Sequence, residues 1–444
     1  MVGKKTQKLS HARNRTLKKL TKSANNKSAK HYNVRKGGEN GDVGVVEDGG
    51  GPQRRNCHPQ VLGKTVSSDS CMTPLMLEKI KKIYNHNYAA NSSEKIVSTD
   101  AVGIYHELKK KHLCESERCM IKKALGNKHS HLYDQIMKEM EAPEHPDDWK
   151  KNPNEWLSNI DINLVMKQYE KTYPEFLFLG PTSINFDERV SNGGNGCVGN
   201  EICHLMLAKL MAMKPLKRKV GMVFNLSRND QPGSHWVSLF LHLPDSGADS
   251  GHGGVGDVGG LEGGVGIGGV ENGEGGLRHD AIMGLEKGKI KSCKALLDNK
   301  HSVSWNENTP YAFFFDSGGA DAPQEVLTMI CRFYREWEGM KPAGALSMQY
   351  DDNHRTKAEH QMGGTECGMY SLFFIITMLT GFCGGKAAML NARRLKKREV
   401  CPKDFRLHGE QDKRDYFLSH GKWNHKRIPD RFMQEFRAIY FNAR

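Results

Sequence analysis

From Pro74 onward, apolar residues recur every three or four positions. "TPLMLEKIKKIYNHNY" and "STDAVGIYHELKKKH" both have this spacing, which predicts two amphipathic helices with Thr73 and Ser98 as N-caps. "LYDQIMKEM" predicts a third, so that 74–145 reads as a small helical region. In "EHPDDWKKNPNEWLSNIDINLVMKQYEKTYPEF" a helix is predicted over Ile162–Tyr169, capped by Asn159 or Asp161. The pattern then changes to continuous apolar runs rich in β-branched and aromatic residues. Val220–Leu226, Ser234–Leu243 and Tyr311–Gly319 are predicted strands, and "AGALSMQYDDN" a fourth. "APQEVLTMICRFYREWEGM" has helical spacing. Met369–Leu379 is apolar on every side, which predicts a buried core helix; it is too short to span a membrane. Strands and helices mix without strict βαβ alternation, so the expected class is α+β.

Composition changes this picture at two places. The chain has 444 residues and a net charge of +14. Twelve of its Lys and Arg lie between Met1 and Gly38, where there is no Asp or Glu, so the rest is near neutral. Residues 1–36 are read as a disordered basic tail suited to nuclear targeting or to nucleic-acid phosphates, and 37–73 as a linker. A Gly-rich stretch, 245–276, has no packable period and reads as a surface insertion, which costs little because closure entropy grows slowly with loop length. The N-terminus lacks the apolar core of a secretory signal. The eleven cysteines are therefore expected as free thiols, and Cys114/Cys119 and Cys197/Cys203/His204 do not have common metal-knuckle spacing. Neither a metal nor an organic cofactor is expected.

The chemistry concentrates in four residues. Cys367 begins the apolar helix, where the helix dipole and unpaired amides favour a thiolate. His235 stands after a turn at the start of a strand, a place for a rigidly held base. Asp316 ends the strand "AFFFD" and can accept from the imidazole Nδ1–H. Gln361, six residues before Cys367, can donate with the Cys367 N–H to an oxyanion. Taken singly, each is more commonly structural: an inert core thiol, a packed histidine, a surface glutamine.

Together, "HW", "FFDS" and "QMGGTECGMY", in that order, resemble the SUMO/ubiquitin-like-protein-specific cysteine proteases, a superfamily that includes the adenovirus protease. "EWLSNIDINLVMKQY" is similar to the family's Trp-Leu-Asn-Asp helix start, with one extra residue. The resemblance covers roughly 149–444. "FLFLGPTSINFDER" and the helical extension look closest to the polyprotein proteases of large cytoplasmic DNA viruses, the African swine fever virus branch.

The resemblance implies a papain-like core with a central mixed sheet flanked by helices over 146–444. It also implies a Cys367–His235–Asp316 triad with Gln361 in the oxyanion hole, and Trp156 and Trp236 lining a narrow channel for a Gly-Gly tail. The expected activity is endopeptidase cleavage of a viral structural polyprotein during virion maturation, in the host cytoplasm and virion. Gly-Gly in the chain's own linker suggests cleavage in cis. Three alternatives stand beside it: a SUMO- or ubiquitin-like processing protease, an acyl transferase on the same fold, and an inactive virion or DNA-binding protein.

Overall fold

The computed structural model describes residues 55–87, 92–190, 196–244, 303–391, 395, 400–423 and 427–442. The basic tail, the linker up to residue 54 and the Gly-rich insertion lie outside the described residues. The described residues belong to one compact unit, 52–444.

The core is α+β. Its sheet runs β1 (Phe176–Ser183), β2 (Lys219–Asn225), β3 (Trp236–His242), β4 (Tyr311–Phe315) and β5 (Gln349–Asp352), in that spatial order. The outer pairs are parallel and the two central ones antiparallel, so the sheet is mixed. The longer helices are α1 (Pro74–Asn87), α2 (Ala101–His112), α3 (Glu117–Leu125), α4 (Ser130–Met140), α5 (Asn159–Thr172), α6 (Gln324–Met340), α7 (Cys367–Thr380), α8 (Glu410–Leu418) and α9 (Asp430–Tyr440).

The continuous apolar strands are explained by cover on both faces. On β4, Tyr311, Phe313 and Phe315 pack with α7, while Ala312 and Phe314 pack on the opposite face with α6. On β3, Trp236 and Phe240 take the first face, and Val237, Leu239 and Leu241 the second. Helix α7 is buried from Cys367 to Leu379, as an all-apolar helix must be. Among the described residues, no helix is long and apolar enough to cross a membrane.

Several elements differ from expectation. Strand β1 was not predicted; Pro181 interrupts its run, and the register with β2 shifts between Leu179 and Thr182. An edge strand tolerates a proline that a central one would not. Helix α3 also lies outside the predicted set; it has only nine residues, although Met120, Ile121, Ala124 and Leu125 form a buried face at helical spacing. Asp100 rather than Ser98 caps α2, accepting from the Gly103 amide; Ser98 is held by Glu107. Ser158 caps α5 in a reciprocal box with Asp161, so that helix starts earlier than predicted.

Residues 55–73, expected as linker, are packed. Asn56 exchanges hydrogen bonds with Asn442, and Val61, Cys71 and Met72 are buried. The free-thiol expectation is likewise corrected. Cys57–Cys71, Cys114–Cys119, Cys197–Cys203 and Cys383–Cys401 are disulfides, Cys331 is disulfide-bonded too, and Cys367 is free. Their Cα atoms lie 5.2–6.3 Å apart, within bonding reach. A compartment argument cannot see that proximity.

Candidate active site

Four elements converge on one point. His235 is the residue before β3, and Asp316 the residue after the neighbouring β4. Cys367 is the first residue of α7, which lies against β3. Gln361 sits in the turn leading into that helix.

His235 Nε2 is 2.7 Å from Asp316 Oδ1. The pairing is therefore through Nε2, not through Nδ1 as expected from sequence, and Nδ1 is the nitrogen left for the thiol. The carboxylate is held in turn. Gly318 N donates to Oδ1 at 2.8 Å and Ala320 N to Oδ2 at 3.3 Å. Asn353 clamps the backbone: its Oδ1 accepts from Asp316 N and its Nδ2 donates to Asp316 O. Burial works against a charge on His235, but hydrogen bonds and charge from Asp316 and Cys367 more than offset it, pushing the imidazole up to about 10. Asp316 and Cys367 thus both favour a proton on His235. His360 is the contrast: burial pulls it down to about 4, and it stays neutral between the Phe417 carbonyl and the Ile428 amide.

Cys367 is buried, and no side chain caps the first turn of α7. The amides of that turn are left facing the nucleophile end of the helix. Gln361 is fixed from behind. Ser317 Oγ donates to its Oε1 at 2.6 Å, and its own N–H donates to the Ser317 carbonyl. Its Nε2 donates to the Gly363 carbonyl at 2.9 Å. The turn between Gln361 and Cys367 is pinned by Asp430, which accepts from the Met362 and Gly363 amides and from Tyr370 Oη.

Trp156 is half-buried beside this turn in sequence-distant chain: the next residue, Leu157, packs on Gly368, and a Cβ built on Gly368 would lie 2.9 Å from Leu157 Cβ. Glycine after the nucleophile is thus required for the close approach. Trp236 is buried, and its indole N–H donates to the Leu157 carbonyl at 3.0 Å. It supports the segment carrying Trp156 from behind rather than presenting a face of its own.

All six residues singled out from sequence thus fall in one region. Asn353, Ser317, Asp430 and Arg437 were not singled out. Ser317 stood inside the "FFDS" run, and Asp430 has the signature of an acidic first-turn residue; Asn353 and Arg437 carry no local signal. Elsewhere, Cys197, Cys203 and His204 bring ligand atoms within 4.8 Å of one another, but the two sulfurs are bonded to each other.

A provisionally named thiol protease of Acanthamoeba polyphaga mimivirus is 23% identical over 354 residues, covering 73% of this chain and 84% of the relative. The chain is related to a viral thiol protease. Its enzyme class is that of a cysteine protease. Two crystal structures of the African swine fever virus protease, one with selenomethionine, are similar in structure with a TM-score of 0.44. They share 14% and 15% identity, cover 88% of this chain, and are themselves covered to 97% and 96%. No family model matches the chain.

Proposed function

We propose that the chain is a cysteine endopeptidase that cleaves after Gly-Gly-type sites, with Cys367 as nucleophile and His235, Asp316 and Gln361 as its partners. The observation that carries the reading is the free buried thiol at the start of α7, coupled to an imidazole that Asp316 holds protonated.

In the proposed pair the Cys367 proton passes to His235 and the sulfur is the attacking group. The thiolate attacks the scissile carbonyl and forms a C–S bond. Negative charge moves to the carbonyl oxygen, where the Cys367 N–H and Gln361 Nε2 stabilise it. Gln361 must turn that donor from Gly363, and its Oε1 bond to Ser317 is the pivot. As the C–N bond breaks, His235 gives its proton to the leaving amine. Neutral His235 then takes a proton from water, which attacks the thioester; the acid product leaves and the thiolate–imidazolium pair is restored. Asp316 keeps the ring oriented throughout.

Gly-Gly preference is supported by the packing of Leu157 directly on Gly368, with Trp156 beside it, because that leaves little room for side chains next to the nucleophile. The reading extends to a viral structural polyprotein as substrate, processed in the host cytoplasm and virion; what supports a viral setting is the similarity to a thiol protease of a virus. The basic tail, by its charge, suits it to contact nucleic acid.

A fluorogenic peptide ending in Gly-Gly before its reporter tests this. The wild type should release the reporter, while Cys367→Ala and His235→Ala should be inactive to within about 10⁴-fold of wild type. Release by Cys367→Ala at the wild-type rate would remove the proposal. Preferential cleavage of a folded ubiquitin-like tail over a viral polyprotein junction would move the substrate to the other class.

A further inference from the structure

The mechanism leaves a buried cation beside the site unused. Arg437, in the last helix α9, is 5% exposed. Its Nη1 donates to the Glu155 carbonyl at 2.6 Å and its Nη2 to the Thr365 carbonyl at 3.4 Å. Glu155 immediately precedes Trp156, and Thr365 lies two residues before Cys367. The guanidinium carbon stands 4.4 Å from the centre of the Trp149 ring. Its Nε is buried without a hydrogen-bond partner. A salt bridge does not explain such a group, and an amphipathic surface helix has no need of it.

We propose that Arg437 is a positioning residue for the Cys367 reaction: its fork ties the Trp156 segment to the nucleophile turn, and its charge is fixed on the α9 side of the thiol. The proposal rests on the reading of Cys367 as nucleophile. Planar, bidentate donation is what lets one side chain hold two carbonyls from separate segments, and arginine keeps its charge when buried. Burial draws the guanidinium below its usual value, and the charges of Glu366, Cys367 and Glu155 oppose that. The other charged groups around the thiol are known. His235, backed by Asp316, faces it from the sheet; Glu366 comes from its own turn and Glu155 from the segment before α5; Asp430, paired with Arg427, reaches the Met362 and Gly363 amides. Of the two arginines here, Arg427 is paired with Asp430, while Arg437 donates only to the Glu155 and Thr365 carbonyls.

Alkylation of Cys367 by iodoacetamide in the intact protein, followed by mass spectrometry at pH 6 and pH 9, reads the charge without any substrate. Arg437→Gln should react about tenfold more slowly than wild type at pH 6 and within about twofold at pH 9, the pattern of lost thiolate stabilisation. Arg437→Lys keeps the charge but cannot span both carbonyls. It should keep the wild-type alkylation ratio while KM for the Gly-Gly peptide rises about tenfold. Equal slowing of Arg437→Gln at both pH values, or an unchanged ratio, would overturn the proposal. If Arg437→Gln does not fold, Arg437→Lys decides: an unchanged KM overturns it. Wild-type Cys367 that reacts at pH 6 no faster than glutathione would instead overturn the nucleophile assignment itself.

Discussion

His235 illustrates how single residues set the behaviour of the site. Its value in the folded protein, about 10, lies above the 6.5 of a free imidazole. The stabilisation it brings is therefore complete below about pH 6.5 and is lost as pH climbs toward 10. Asp316→Asn should lower the melting temperature most below pH 6.5, and the gap to wild type should narrow toward pH 10. A gap that widens with pH would contradict the assignment. The same substitution should cut kcat by about 10²- to 10⁴-fold, since the ring loses its fixed orientation. Gly368→Ala tests the close approach: a Cβ 2.9 Å from Leu157 Cβ should cost about 1–3 kcal/mol in chemical denaturation. At this scale the sequence singles out Cys367, His235 and Asp316 because each stands at the end of an apolar element, and the structure brings them, with Gln361, to one region. What was not legible was which imidazole nitrogen meets Asp316, or that Trp236 points inward. Both depend on how β3 and β4 sit side by side, and the chain does not encode that locally.

At the scale of elements, α9 does more for the site than its sequence suggests. Asp430, in its first turn, accepts from the Met362 and Gly363 amides, and Tyr370 in α7 bonds the same carboxylate. The turn carrying Gln361 is thereby fixed to α7 at one side and α9 at the other. Asp430→Asn should lower kcat about ten- to a hundredfold with little change in KM, since a displacement of the oxyanion donor of about 1 Å is enough. Steady-state kinetics check this; a selective rise in KM would show that the turn binds substrate instead. The apolar period disclosed α1, α2, α7 and the central strands, because burial on one or both faces writes itself into the sequence. It failed at β1, where Pro181 breaks the run, and at α3, whose Met120, Ile121, Ala124 and Leu125 are buried within only nine residues. Caps were misplaced by one or two residues wherever two polar side chains competed for one helix start.

At the largest scale, the helical extension is joined to the core through Arg55, Asn56 and the end of α9. Asn442 accepts from the Asn56 amide and donates to the Asn56 and Ala142 carbonyls. Asn56 in turn donates to the carbonyls of Ala438 and Phe441, at the end of α9. Arg55 and Arg118 pair with both Glu141 and Glu144 alongside. Asn442→Ala removes three buried hydrogen bonds of this seam and should cost about 2–4 kcal/mol, read as a lower denaturation midpoint. A change below about 0.5 kcal/mol would mean that water replaces the seam, as at an exposed surface site. None of these pairings could be read in advance, since Asn56 and Asn442 lie 386 positions apart and Arg55 and Glu141 lie 86 apart. The most direct test of the site as a whole is covalent capture. The intact protein would be treated with a Gly-Gly peptide carrying a vinyl methyl ester, and the adduct located by mass spectrometry. A single adduct on Cys367, absent from His235→Ala at neutral pH, is the predicted result. An adduct on another cysteine, or equal labelling without His235, would contradict the assignment of the nucleophile and its partner.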